Sequence, residues 1–472
     1  MKYIFYKEIQ NQIKDSRFYI IITIFLVLSI LSGVIESFYF KENNEIYKQL
    51  NEEYHKELKD NSYSLQSIAF MNHLAIKKTF PYTFIVGANA NNFPNYSIVF
   101  LPEIFFRGDY YQYIPKKSLN EHIPIFKFFR LDICFLNEIL LSFLIILLVH
   151  DSICKEKEEK TISLILSNSI PKYKLLLGKI SASFITISIS FILGLVLQLL
   201  IIVSINNIPI SNNLLFDYLL FIPISFLYIL LWILITTFVS IFSKQSNIAL
   251  SYLLIVWIAF VFVIPSIGKI IVSYNNKLTS SKEISLGFET IEKNMFDEAK
   301  LHNGGWRGGN IKANEIDNHI YERNFSPIYL KYMDKSNEYQ NFIIKKQIDQ
   351  LKYIYNISSV SPSFLYRRLC ESIYGVGIKN HYRFLEDLKN YRNRLKIEIA
   401  SIDAKDLDSF HFLFLPNYMS KKNLDPKLIS EFNFNNCTTQ EDFEYISLFI
   451  LLFEVIIMFL IIYTFFIKYD PR

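Results

Sequence analysis

Six stretches of nearly uninterrupted apolar side chains divide this chain: Phe18–Phe38, Phe135–Val149, Ile180–Ile205, Leu214–Phe242, Ile248–Val272 and Ile446–Ile467. A helix needs about 20 apolar residues to cross a bilayer, and a run of 18 or more with few charges is a candidate span. Within a bilayer every backbone polar group must be satisfied internally, so these runs must be helical. The second stretch reaches spanning length if it starts near Leu131 and carries Glu138 close to the interface. The fourth contains Pro223, which packed neighbours tolerate. With 51% hydrophobic residues but 20% charged ones, almost all of the charge falls between the runs. The expected fold class is an all-α polytopic membrane protein. The first run is too long for a signal-peptide core and no small-residue cleavage site follows it, so it reads as a retained span.

Lys and Arg placement sets orientation. Lys2, Lys7, Lys14 and Arg17 precede the first span, and Lys155, Lys157, Lys160, Lys172, Lys174 and Lys179 lie between the second and third. Lys244 separates the fourth and fifth, and Lys468 and Arg472 follow the sixth. If all six runs cross, these segments share one side, whereas "NNIPISNN" on the other side carries no charge. Both termini are therefore expected to be cytoplasmic, and the isoleucine, lysine and asparagine that dominate the polar stretches hint at a bacterial chain, hence a bacterial cytoplasmic (inner) membrane.

The expected layout is an amphipathic lead-in helix (1–17), spans at 18–38 and 132–150, and a cytoplasmic loop at 151–179. Spans follow at 180–205, 214–242, 248–272 and 446–467, and a tail at 468–472. Two large external segments, 39–131 and 273–445, come after the first and fifth spans and are expected to pack together as a mainly helical extracytoplasmic domain. "KENNEIYKQLNEEYHKELKD" continues the first span as an amphipathic helix, with Ile46, Leu50, Tyr54 and Leu58 on one face. "KEISLGFETIEKNMFDEAK" reads as a helix that "GGWRGGN" breaks. Further helices are expected over Asn337–Asn356 and from His381, with Ser361 as an N-cap before Pro362. Residues 79–124 suggest loops and short strands.

Chemistry-bearing motifs are few. There is no GxxxxGK[ST] phosphate loop and no GxGxxG, so the chain has no means of hydrolysing ATP by itself. No HExxH or CxxC pair marks a metal site, no GxSxG elbow appears, and no catalytic residue is assigned. Basic residues follow the spans rather than one face, which argues against nucleic acid as a partner. Cys370 and Cys437 share a compartment, leaving either a bridge or two thiols open. Glu454 lies inside the sixth run, where an ionisable group is a functional candidate. It either lines a substrate path, pairs with a partner helix, or faces the bundle interior.

The loop from Lys155 to Lys179 is the most informative stretch. Glu156, Glu158 and Glu159 lead into a short helix, Thr161-Ile162-Ser163-Leu164-Ile165-Leu166-Ser167, where the helix dipole favours acidic groups. Pro171 then restricts Ile170 and ends the element. By its residues alone this could be a simple interfacial helix. However, "HDSICKEKEEKTISLILSNSIPKYKLLLGK" resembles the hallmark of type-2 ABC transporter permeases. Asp151, Glu156, Glu158, Thr161, Leu164, Leu166, Ser167, Pro171, Lys172, Gly178 and Lys179 match that pattern. Lys160 stands where the pattern has glycine, and Ile162 where it has leucine. The second external segment, with "SPSFLYRRLCESIYGVGIKNHYRFLEDLKNYRNRL", is similar to a bacterial subfamily of these permeases known only as a domain of unknown function.

The resemblance implies a permease subunit of an ATP-driven exporter. Its coupling helix would dock by the ridge Ile162, Ile165 and Leu166 on a separate ATPase chain, with the charged residues as a rim. ATP and Mg would belong to that ATPase, and this chain would bind no cofactor. A second permease copy, identical or paralogous, and membrane lipid complete the expected partners. The competing reading is a membrane-anchored extracytoplasmic interaction or signalling protein without transport.

Overall fold

A computed structural model describes residues 2–78, 84–87, 96–102, 131–162, 171–208, 212–275, 277–304, 319–434 and 444–468. Leu164, Ile165, Leu166, Ser167 and Cys437 lie outside the described residues, as does most of 79–124. Among the described residues six helices are long and apolar enough to cross a membrane and a single two-stranded sheet is found; the chain is an all-α polytopic membrane protein.

Helix α1 (Lys2–Lys14) is the amphipathic lead-in. It breaks at Asp15, whose carboxylate accepts the Arg17 N–H and caps α2 (Ser16–Asp60). That helix is span one and its polar continuation in a single piece of 45 residues, about 67 Å long. Its far end turns Tyr54 and Leu58 inward, two positions of the expected apolar face. Helix α3 (Leu65–Ala69), capped by Ser64, leads to an antiparallel pair, β1 (His73–Ile76) and β2 (Tyr96–Val99), in which His73 lies opposite Val99.

Span two is α4, residues 133–149, interrupted by a π-helical segment at Leu136–Leu141. Helix α5 (Cys154–Glu158) follows at once. Span three is α6 (Lys172–Asn206) and span four is α7 (Asn212–Phe242). The third helix begins eight residues before the apolar run, because Pro171 supplies a preset φ of −59° at its N-cap. Hydropathy locates a membrane boundary, not a helix start. Span five is α8, residues 246–275, with a second π-helical segment at Ala259–Val263.

The second insert holds α9 (Ser281–Leu301), started by a capping box of Ser280 and Glu283, and α10 (Ile320–Ser358). Helix α10 begins well before the expected Asn337, since Phe325, Tyr329, Tyr332 and Met333 give its first half a buried stripe. Ser361 caps α11 (Pro362–Ile373) as expected, and α12 (Ile378–Asp403) contains the helix expected from His381. Span six is α13 (Tyr445–Lys468). The two inserts share one core: Tyr54, Leu65 and Ile68 from the first pack with Phe325, Tyr329, Leu388 and Tyr391 from the second. Helix α11 departs from this, because Tyr366, Leu369 and Cys370 belong to the core of the spans, as do Ile85 and Val86 of the first insert.

Candidate functional site

The loop between spans two and three, 151–179, was singled out by its charges, and those charges determine what it touches. At its start the Asp151 carboxylate accepts from Arg17 at 2.7 Å, tying the end of span two to the start of span one. Arg17 also bonds Asp15, which holds that carboxyl below its usual range.

Lys179, on the first turns of α6, buries its side chain to 5% exposure between two carboxylates. Its ammonium lies 2.8 Å from Glu156 and 3.3 Å from Glu8 of α1, and donates to the Ser152 carbonyl at 2.8 Å. A buried cation is tolerable only when paired in this way, because each group's desolvation must be offset by a close opposite charge. The adjacent Gly178 lets α1 approach, since a Cβ there would lie 2.8 Å from Ile4 Cγ2.

Lys157 and Glu158 reach in the opposite direction. The Lys157 ammonium donates to the carbonyls of Ile241 and Ser243 at the C-terminal end of span four. Glu158 accepts the backbone N–H of Ser246 at 2.7 Å and its hydroxyl at 2.8 Å, at the N-terminal end of span five. Each charge therefore meets the helix end whose dipole it complements. The hydroxyl of Ser240 accepts from the backbone N–H groups of Ile153 and Cys154, fixing α5 against span four. Lys172 donates to the carbonyl of Ile467 at the end of span six at 2.9 Å.

The loop is thus bonded to spans one, three, four, five and six, while covalently continuing span two. It is a bracket joined to every span.

Most of the positions identified from sequence lie in this bracket, and several of them are bonded within the chain. Asp151, Glu156, Glu158, Lys172 and Lys179 are engaged within the chain itself. The Thr161 hydroxyl donates back to the carbonyl of Glu156 at 3.3 Å. Ile162 is turned into the core of the spans rather than outward. Glu159, Lys155 and Lys160 are exposed. Lys160 takes a left-handed φ of 56° just past α5, which accounts for glycine at that place in the permease pattern.

Among the carboxylates within the spans, Glu138 and Glu454 stand out. Glu138, which the sequence places close to the interface, pairs with Arg367 of α11 at 2.5 Å and is buried. The unmatched carboxylate in an apolar run was a signal that a cation must come from elsewhere in the chain. Glu454 is half-buried on span six, and its Oε2 has no hydrogen-bond partner among the described residues. Cys134, Cys154 and Cys370 are buried free thiols.

The family model described as ABC-2 family transporter protein matches residues 3–470. Comparison with curated proteins gave no match.

Proposed function

Since this chain belongs to the ABC-2 transporter family, we propose that it is the membrane-spanning permease subunit of an ATP-driven exporter. A separate ATPase chain docks on the loop 151–179, and its nucleotide-driven closure moves that loop. The observation that carries this reading is the bracket. A loop bonded to the ends of all five other spans passes a push at one point to the whole bundle, which a passive membrane anchor has no need to do. Leu164, Ile165 and Leu166 supply the apolar contact, about 1.5–3 kcal/mol for each large aliphatic side chain fully buried. ATP and Mg belong to the ATPase, and a second permease copy completes the transport path.

In this reading the bracket and both termini are cytoplasmic and the two inserts extracytoplasmic, as the Lys and Arg distribution requires. Orientation is testable with single cysteines in a chain whose own four are replaced by serine. Lys155→Cys should be shielded from an impermeant maleimide in intact cells and react after lysis. Leu407→Cys, at an insert position 93% exposed, should react in both. Labelling of Lys155→Cys in intact cells would place the bracket away from ATP and end the coupling reading.

A further inference from the structure

Helix α11 comes from the second insert but is seated on the spans, at the end opposite the bracket. Both π-helical segments found among the described residues of the spans, Leu136–Leu141 and Ala259–Val263, lie against it. On span five, the Ser361 hydroxyl that caps α11 donates to the carbonyl of Phe260, inside the π segment. On span two, Asn137 donates to the Tyr366 hydroxyl at 2.7 Å and Arg367 donates to Glu138 at 2.5 Å. Span four completes the seat. The Tyr228 hydroxyl donates to the Glu138 carbonyl at 2.7 Å and lies 2.9 Å from Ser363, and its ring stacks on Tyr366 with centroids 4.4 Å apart.

A π segment carries an extra residue in its turn and is frequent at functional sites. Returning such a turn to α geometry rotates what lies above it against what lies below by about 100°. In the π register Asn137 and Glu138 meet Tyr366 and Arg367, and a change to α register would carry them off those partners. Packed elements switch between such arrangements in steps. Span two carries the seat at one end and Asp151 of the bracket at the other.

We propose that α11 is a latch: while docked on the two π segments it holds the far ends of spans two, four and five together, and its release opens them. The drive from the bracket rests on the permease reading above; the latch itself does not. Arg367 and Glu138 are positioning residues for this step, holding α11 in place rather than touching cargo.

Two native thiols report on it. Cys134 at the start of span two and Cys370 on the buried side of α11 are 1% and 0% exposed. With Cys154 and Cys437 replaced by serine, a maleimide should label the full-length chain slowly at both positions. Glu138→Gln and Arg367→Gln should each raise the labelling rate at least tenfold, and the exchange Glu138→Arg with Arg367→Glu should bring it back toward the parental rate. Parental protection in both single variants overturns the latch. Should the variants not assemble, hydrogen exchange on the unaltered chain decides. Amides of 363–373 should exchange at least tenfold faster than those of 142–149 if α11 opens as a unit, and equal protection overturns it. Neither readout needs an ATPase. A chain that fails to transport but shows these rates faults the permease reading alone, and a transporting chain without them faults the latch alone.

Discussion

Glu158 caps span five from 88 residues away, receiving both the backbone N–H and the hydroxyl of Ser246. Gln245, the residue in the N-cap position, makes no side-chain cap, so the carboxylate stands in for one. Losing an N-cap acceptor costs about 1 kcal/mol. Glu158→Ala should therefore lower the thermal midpoint of the purified chain, and Glu158→Gln, which keeps an acceptor, should lower it less. A loss that disappears in high salt for both variants would instead mark Glu158 as a screened surface charge.

Lys160 is strained where it stands. A non-glycine residue at φ 56° costs roughly 1 kcal/mol or more relative to glycine. Lys160→Gly should raise the thermal midpoint, whereas Lys160→Ala, which keeps a Cβ, should not. The loosening of the unfolded chain by glycine offsets part of the gain, so a rise of about 1 kcal/mol or a little less is expected. A lower midpoint for Lys160→Gly would contradict the left-handed assignment.

His73 makes the inserts' core sensitive to acid. Its Nε2–H donates to the carbonyl of Ile68 at 3.1 Å, and its Nδ1 accepts from Tyr54 at 3.4 Å. Burial holds the imidazole neutral and pulls its pKa from 6.5 down to about 4. The unfolded chain then binds more protons than the folded one between these values, so stability is complete above pH 6.5 and falls as pH drops toward 4. For this group alone the loss is on the order of 3 kcal/mol. His381, also lowered to about 4 by burial, adds to the slope. In His73→Gln the loss of thermal midpoint between pH 6.5 and 4 should shrink by roughly half, and an unchanged slope would contradict the assignment.

The spans were legible because a bilayer admits one solution for long apolar runs. The shared core of the inserts was legible in part, through Tyr54 and Leu58 at helical spacing. The bracket was visible as a charged strip, but Glu156 and Glu158 read as a rim because sequence gives no partner for a charge. Their partners, Lys179 and Ser246, come from elements that only tertiary structure brings together. The seat of α11 was hidden for a related reason. "SPSFLYRRLCES" reads as an external amphipathic helix, and nothing local shows that Tyr366 and Arg367 face Asn137 and Glu138. The π segments leave no mark in composition.

Whether the loop 151–179 holds an ATPase is measured most directly at Leu166. The tagged chain, solubilised gently from its native membrane, should bring down a Walker-motif ATPase identifiable by mass spectrometry. Leu166→Asp places a charge where an apolar contact is required, outside the hydrocarbon region, so the chain should still insert. It should recover at least tenfold less of that ATPase than the parent does, from the same amount of permease. Equal recovery by Leu166→Asp and parent, or no Walker-motif ATPase with either, would contradict the docking role and return the loop to an interfacial segment.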